Sequence, residues 1–274
     1  MVRLAFIGLT FMSAISFVLI QTSLTGHQQP SEPPRAQPPV NLTQPKVCVL
    51  IPATSMGQPW QTIDDSFLVN VCLPSILKTS ESEKYQYVTY VGFDSGDSFF
   101  DNATTTSALY EWANQSHMEL RLLDFFNPMH KPGPVMNLLA AVAYREHCDF
   151  TFRINDDTEM LGEWTTPFIQ ALLSFDPPLR GVVGPTCHEG NTAILTHDFV
   201  HRTHMNVFGN HYPPQLTDWW LDDWISLVYG ESNTLKHPNV TVKHHVKVTR
   251  YSVTYKNEEI LQTLVLEGAK RLRK

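Results

Sequence analysis

The tripeptide Asn155-Asp156-Asp157 follows an apolar, β-prone run, Phe150-Thr151-Phe152-Arg153-Ile154, so two adjacent carboxylates stand at the end of a strand. Paired hard oxygen ligands in that position suit Mg²⁺ or Mn²⁺, shared with water and with the phosphates of a bound nucleotide. The plainer alternative is a polar turn or helix cap, because Asp and Asn are favoured at both. A second pair stands in Trp219-Trp220-Leu221-Asp222-Asp223-Trp224, at the head of an apolar, helix-like run to Tyr229. There a carboxylate can act as a general base, its pKa raised by burial beside the tryptophans. Equally, Asp222 and Asp223 can cap a helix and meet its dipole. The three indoles can stack on sugar rings or fill a core.

Histidines gather at His188, His197, His201, His204 and His211, then at His237, His244 and His245. The spacings His197/His201 and His201/His204 would put imidazoles on one helix face, yet no HExxH motif accompanies them.

The elements that must carry these groups alternate. Lys46–Ile51 is a continuous apolar strand broken at Pro52, and Tyr85–Phe93 is a second strand ending in Asp94-Ser95-Gly96-Asp97. Trp60–Leu77 has helical spacing with Pro74 as a late kink or stop. Thr104–Gln115 and Val135–Glu146 read as helices, the latter after a loop with Pro128, Pro132, Gly133 and Pro134. Glu119–Phe125, Phe150–Ile154 and Gly181–Pro185 read as further strands, Ala193–Phe208 as a further element and Glu258–Arg273 as a closing helix. Strand–helix alternation implies right-handed crossovers and a mainly parallel sheet with ligands at the strands' C-terminal ends. Pro52, Asp94 and Asp157 all fall at such ends. Neither GxGxxG nor GxxxxGK[ST] is present, so a diphosphate bound there needs another counter-charge.

Composition bounds the rest. The uncharged block Leu4–Ile20 after Arg3 suits a signal-anchor, making 1–20 a membrane segment. The proline-rich stretch 21–45 reads as a stalk and 46–274 as one α/β domain. The sequons at Asn41, Asn102, Asn114 and Asn239 then become lumenal glycan sites. A net charge of −7 argues against a nucleic-acid partner. Cys48, Cys72, Cys148 and Cys187 allow two disulfides in three pairings, while the apolar settings of Cys48 and Cys72 equally suit buried thiols.

The Val-Leu-Ile-Pro52 start, acidic Asp94, the helix with Asn137 and Arg153-Ile-Asn-Asp-Asp157 together resemble a GT-A type nucleotide-sugar glycosyltransferase of the family 2-like kind. That superfamily holds Mn²⁺ or Mg²⁺ with an Asp-x-Asp motif, where this chain has Asn155 first. The resemblance implies Asp157 as metal ligand, joined by His244 or His245, whose adjacent side chains in a strand point opposite ways. It implies Pro52, Asp94, Asn137, Arg153 and Asp156 at the donor and Asp223, or Asp222, as base in an inverting transfer. Trp219, Trp220 and Trp224 would meet a glycan acceptor. A UDP-sugar donor and a Golgi or ER type II membrane location, or secretion, follow as expectations of the class. The rival readings are a secreted metal-dependent hydrolase and an inactive glycan-binding scaffold.

Overall fold

Strand β1 (Lys46–Pro52) buries every residue from Val47 onward, as a strand covered on both faces must. This computed structural model describes residues 44–189, 192–245, 251 and 258–273. The expected membrane segment, nearly all of the stalk, Asn41 and most of the stretch between His245 and Glu258 lie outside them. No helix among the described residues is long and apolar enough to cross a membrane.

β1 pairs in parallel with β2 (Gln86–Asp94) on one side and β4 (Phe150–Arg153) on the other, and β2 carries β3 (Leu120–Phe125) at the edge. Helices α2 (Ala103–Gln115) and α3 (Pro132–Arg145) make the crossovers that parallel neighbours require. Between β1 and β2 the expected single helix is divided. A 3₁₀ turn (Ile63–Asp65) and a π turn (Leu68–Cys72) precede α1 (Leu73–Thr79). Pro74 therefore opens a helix instead of stopping one, since the first turn has no use for its missing N–H. Pro132, Gly133 and Pro134, expected as loop, likewise form the first turn of α3.

Beyond β4 the sheet changes character. β5 (Thr158–Met160) is a short edge strand, and α4 (Thr165–Ser174) leads to β6 (Val182–Cys187) and β7 (Asp198–His201). After α5 (Thr203–Phe208) and α6 (Leu221–Val228), β8 (Thr234–His244) completes the order β3-β2-β1-β4-β7-β6-β8-β5, and α7 is Glu258–Leu272. β7 runs antiparallel to both β4 and β6, while β8 is parallel to β6 and antiparallel to β5. The mainly parallel sheet expected is thus a mixed one. β5 and β7 are short and partly polar, too brief to give a periodic signal. The shared helix face for His197, His201 and His204 is also corrected: His197 and His201 flank or end β7, and only His204 lies on a helix.

Phe150, Phe152, Trp164, Phe168 and Phe199 interlock under β4 and β7, with Phe150 and Phe199 stacked at 5.4 Å. A second core sets Trp224, Phe208, Tyr212, Leu261 and Leu264 among α5, α6 and α7. Cys48 and Cys148 form a disulfide, their Cα atoms 5.9 Å apart, whereas Cys72 and Cys187 are buried thiols.

Candidate active site at the C-terminal edge of the sheet

The parallel register brings Pro52 opposite Gly92 and Asp94 opposite Phe125, so β1, β2 and β3 end together. Asp94 is 5% exposed and accepts from Asn127 Nδ2 at 2.8 Å, with His130 Nδ1 3.0 Å from its other oxygen. Asp97 closes the neighbouring loop. It accepts from the Ser55 amide at 2.8 Å, the Ser55 hydroxyl at 2.6 Å and the amides of Phe99 and Phe100. This carboxylate ties the β1 loop to the β2 loop. It stood in the acidic turn read from sequence, where only Asp94 was taken as functional.

Asp156 and Asp157 follow β4, each 2% exposed. The β5–β8 ladder pairs Thr158 with His244, which carries that imidazole to the end of β4. His244 Nε2 lies 2.8 Å from Asp157 Oδ1 and 3.2 Å from Asn155 Nδ2. Neighbouring ligands of an octahedral cation with bonds of about 2.1 Å are about 3 Å apart, so Asp157 and His244 fit as two of its donors. His245 points the other way, to Glu159 Oε2 at 2.7 Å, as strand alternation demands. Among the described residues no group of three or more His, Cys, Asp or Glu side chains is gathered for a metal. Cys72 lies beneath, its Sγ 3.5 Å from the Asn155 carbonyl. Burial, and then Asp156 and Asp157, push its thiol well up, so it is inert.

Arg153 ends β4 and is 1% exposed. Its Nε donates to Asp198 Oδ2 at 3.0 Å and to the Tyr212 hydroxyl at 2.8 Å, Nη1 to the Thr196 carbonyl at 2.8 Å, and Nη2 to Asp222 Oδ1 at 2.6 Å. The guanidinium, expected beside the donor, thus spans a wholly buried carboxylate and one that is about a third exposed. Burial alone would raise Asp198, but Arg153 and His211 outweigh it and hold the carboxyl well below its ordinary value. Burial pushes Asp222 up to about 6 against the lowering influence of Arg153, and it also raises Asp223. Both occupy the first turn of α6. Trp220, immediately before, has φ 69°, a rare conformation for a bulky residue and one that clusters at functional sites.

Of the tryptophans, Trp219 is 36% exposed, whereas Trp224 is 2% exposed and packs edge-on against Phe208 at 5.2 Å. Trp224 is thus a core side chain, because α6 turns that face toward α5 and α7. Asn137 is committed to the Tyr212 main chain, donating to its carbonyl and accepting from its amide. Asn102 caps α2 through the Thr104 amide, and Asn102, Asn114 and Asn239 are exposed.

The Staphylococcus aureus TarS 1–349 structure in complex with UDP matches this chain with a TM-score of 0.51 at 13% identity, covering 81% of this chain and 65% of that one. The two share a fold of the GT-A type. Structures of S. aureus TarS (TM-score 0.49, 11% identity, 82% of this chain and 43% of that one) and of its 1–349 fragment (0.46, 12%, 82% and 71%) are also similar. The chain therefore spans less than two thirds of the first two. No protein-family model and no curated protein matches the sequence. Within the GT-A frame Asp94 ends β2, Asp157 follows β4 with His244 beside it, and Asp222 of α6 is tied to the end of β4 through Arg153. Asp97, Asp198 and Tyr212 escaped the sequence reading: only Asp97 had a local signal, while the other two acquire meaning through Arg153.

Proposed function

We propose that this protein is a hexosyltransferase-type glycosyltransferase, moving a sugar from a nucleotide-sugar, with UDP-sugars favoured, to a hydroxyl acceptor. The observation that carries the reading is the set of carboxylates at the C-terminal edge of one GT-A sheet, Asp94 and Asp157 beside His244, with Asp222 of α6 tied to the end of β4 by Arg153. The similar TarS fragment was crystallised with UDP, which supports the choice of nucleotide.

In this reading Asp94 and Asp156 contact the nucleoside, and Asp157 with His244 holds Mn²⁺ or Mg²⁺. Such a cation, when bound, offsets negative charge on a departing diphosphate. Asp223 takes the acceptor proton as the acceptor oxygen bonds to the anomeric carbon and the carbon–phosphate oxygen bond breaks with inversion. Its raised pKa suits that task, whereas Asp222 is held by Arg153. Trp219 is the exposed indole best able to meet an acceptor sugar. The domain would be lumenal, on an N-terminal anchor in the Golgi or ER, and the Cys48–Cys148 disulfide suits an oxidising compartment.

Calorimetry of the full-length protein with UDP and GDP tests this. Binding of UDP in Mn²⁺, its loss in EDTA, and its loss in Asp157→Ala are the expected results. Wild-type protein that binds neither nucleotide would overturn the proposal in favour of a hydrolase or a glycan-binding scaffold. Binding that survives EDTA would remove the metal from it.

A further inference from the structure

The start of α3 is fastened to the segment leading into α6 by a series of contacts outside the proposed chemistry. Lys131 Nζ donates to Asp218 Oδ2 at 2.6 Å, and the two side chains are only 12% and 8% exposed. The Gly133 amide donates to the Thr217 carbonyl at 2.7 Å. The backbones approach so closely that a Cβ on Gly133 would stand 2.7 Å from the Thr217 oxygen and 2.8 Å from that of Leu216. One helical turn on, Asn137 and the Tyr212 main chain exchange hydrogen bonds of 3.1 and 2.8 Å. At the other end, the Lys131 carbonyl accepts from Asn127 Nδ2 at 3.0 Å, the same amide that donates to Asp94. An unbroken line of contacts thus runs from Asp94 to Asp218, four residues before Asp222.

A desolvated ion pair is a poor way to gain stability, because an apolar pair of equal volume packs as well without stripping two charges of water. Its directional geometry is what an apolar pair cannot replace. We infer that Lys131 and Asp218, braced by the close approach at Gly133, form a positioning clamp that sets the acceptor carboxylates on α6 against the nucleotide site at Asp94. The inference rests on the glycosyltransferase reading. Lys131 and Asp218 act through their neighbours and are positioning residues, and a displacement of about 1 Å at the reacting centre costs about 10²-fold in rate.

The test uses full-length protein in Mn²⁺. It measures UDP affinity by calorimetry and UDP release from UDP-glucose, UDP-galactose and UDP-N-acetylglucosamine with water as acceptor. Urea unfolding of each variant corrects rates to folded molecules. Lys131→Met and Asp218→Asn should each lower turnover about 10²-fold, with UDP affinity within about threefold of wild type. Lys131→Arg should retain most activity, and the double variant Lys131→Met/Asp218→Asn should be no slower than either single one. Gly133→Ala should reproduce the loss with no change of charge. The clamp is overturned if turnover per folded molecule is unchanged in the single variants, or if turnover and UDP affinity fall together. Wild-type protein that neither binds UDP nor releases it sinks the glycosyltransferase reading, and the clamp with it, a result distinct from active wild type with unaffected variants.

Discussion

The two halves of the sheet solve different problems. In β3-β2-β1-β4 the strands are parallel and their shared interior is apolar, so backbone topology alone delivers strand ends to one edge. Around β7 buried polar and charged groups join the aromatic core: Arg153, Asp198, His197, His201, His204 and His211 are all at most 2% exposed. His204 Nε2 donates to the His211 carbonyl at 2.8 Å and its Nδ1 lies 2.8 Å from the Tyr229 hydroxyl, the pairing of a neutral ring. Asp198 receives His211, Tyr212 and Arg153 together. Terminal carboxylates such as Asp94 and Asp157 can be placed by strand geometry alone. Fixing a carboxylate pair on a short helix needs side chains to hold it, and the stability of that region then depends on charge state.

Arg153→Met puts that contrast under the greatest strain. It leaves Asp198 buried without its cation and should cost about 3–5 kcal/mol in urea unfolding. Leu50→Ala, in the apolar half, should cost a comparable 2–5 kcal/mol or so. The two are separated by pH: Arg153 holds the Asp198 carboxyl below its ordinary value, so the stability it supplies is lost as that carboxyl protonates, and the Arg153 deficit should shrink as pH falls from about 5 toward 3 while the Leu50 deficit should not. Equal pH independence would mean the ionic half is held by packing alone.

Removal of the Cys48–Cys148 bridge, which joins β1 to the turn before β4 across a sequence separation of 100, should cost about 2–4 kcal/mol. That loss should also be flat with pH. Denaturant unfolding of Cys48→Ala/Cys148→Ala at two pH values measures it.

The buried histidines act through pH instead of through a lost contact. Burial lowers His201 from 6.5 to about 4 and His204 from 6.5 to about 3. The native state therefore binds fewer protons than the unfolded chain below pH 6.5, and stability falls as pH drops through that window. His201→Phe, in a site already edge-on to Phe150 at 5.1 Å, should remove about 1.4 kcal/mol per pH unit of that slope between pH 6.5 and 4. An unchanged slope would show that His201 is not a source of acid sensitivity.

The first half of the fold was legible because its strands are continuous apolar runs and its helices are periodic. The exceptions, Pro74 and the Pro132–Pro134 turn, arose because proline has opposite meanings at the start and in the interior of a helix, and sequence alone did not place the start. The second half was less legible. β5 has three residues and β7 has four, and β7 contains Asp198 and His201, whose polarity argues against a buried strand until their partners are known. Arg153 shows the limit most clearly. Beside the acidic motif it reads as a donor contact or a structural ion pair, and the antiparallel β4–β7 pairing sets it opposite Asp198.

By itself the sequence determined the α/β class, the order of the first four strands' elements, and the carboxylates that stand at Asp94, Asp156–Asp157 and Asp222–Asp223. Those are local facts, carried by hydrophobic runs and by residues adjacent in the chain. Only the tertiary structure decided which groups meet: His244 rather than His245 at Asp157, Arg153 between Asp198 and Asp222, and Lys131 on Asp218. Such pairings join residues tens of positions apart, and strand order and register select among them. A one-residue slip of β8 would exchange the two histidines, which is why no pattern in the chain could choose between them.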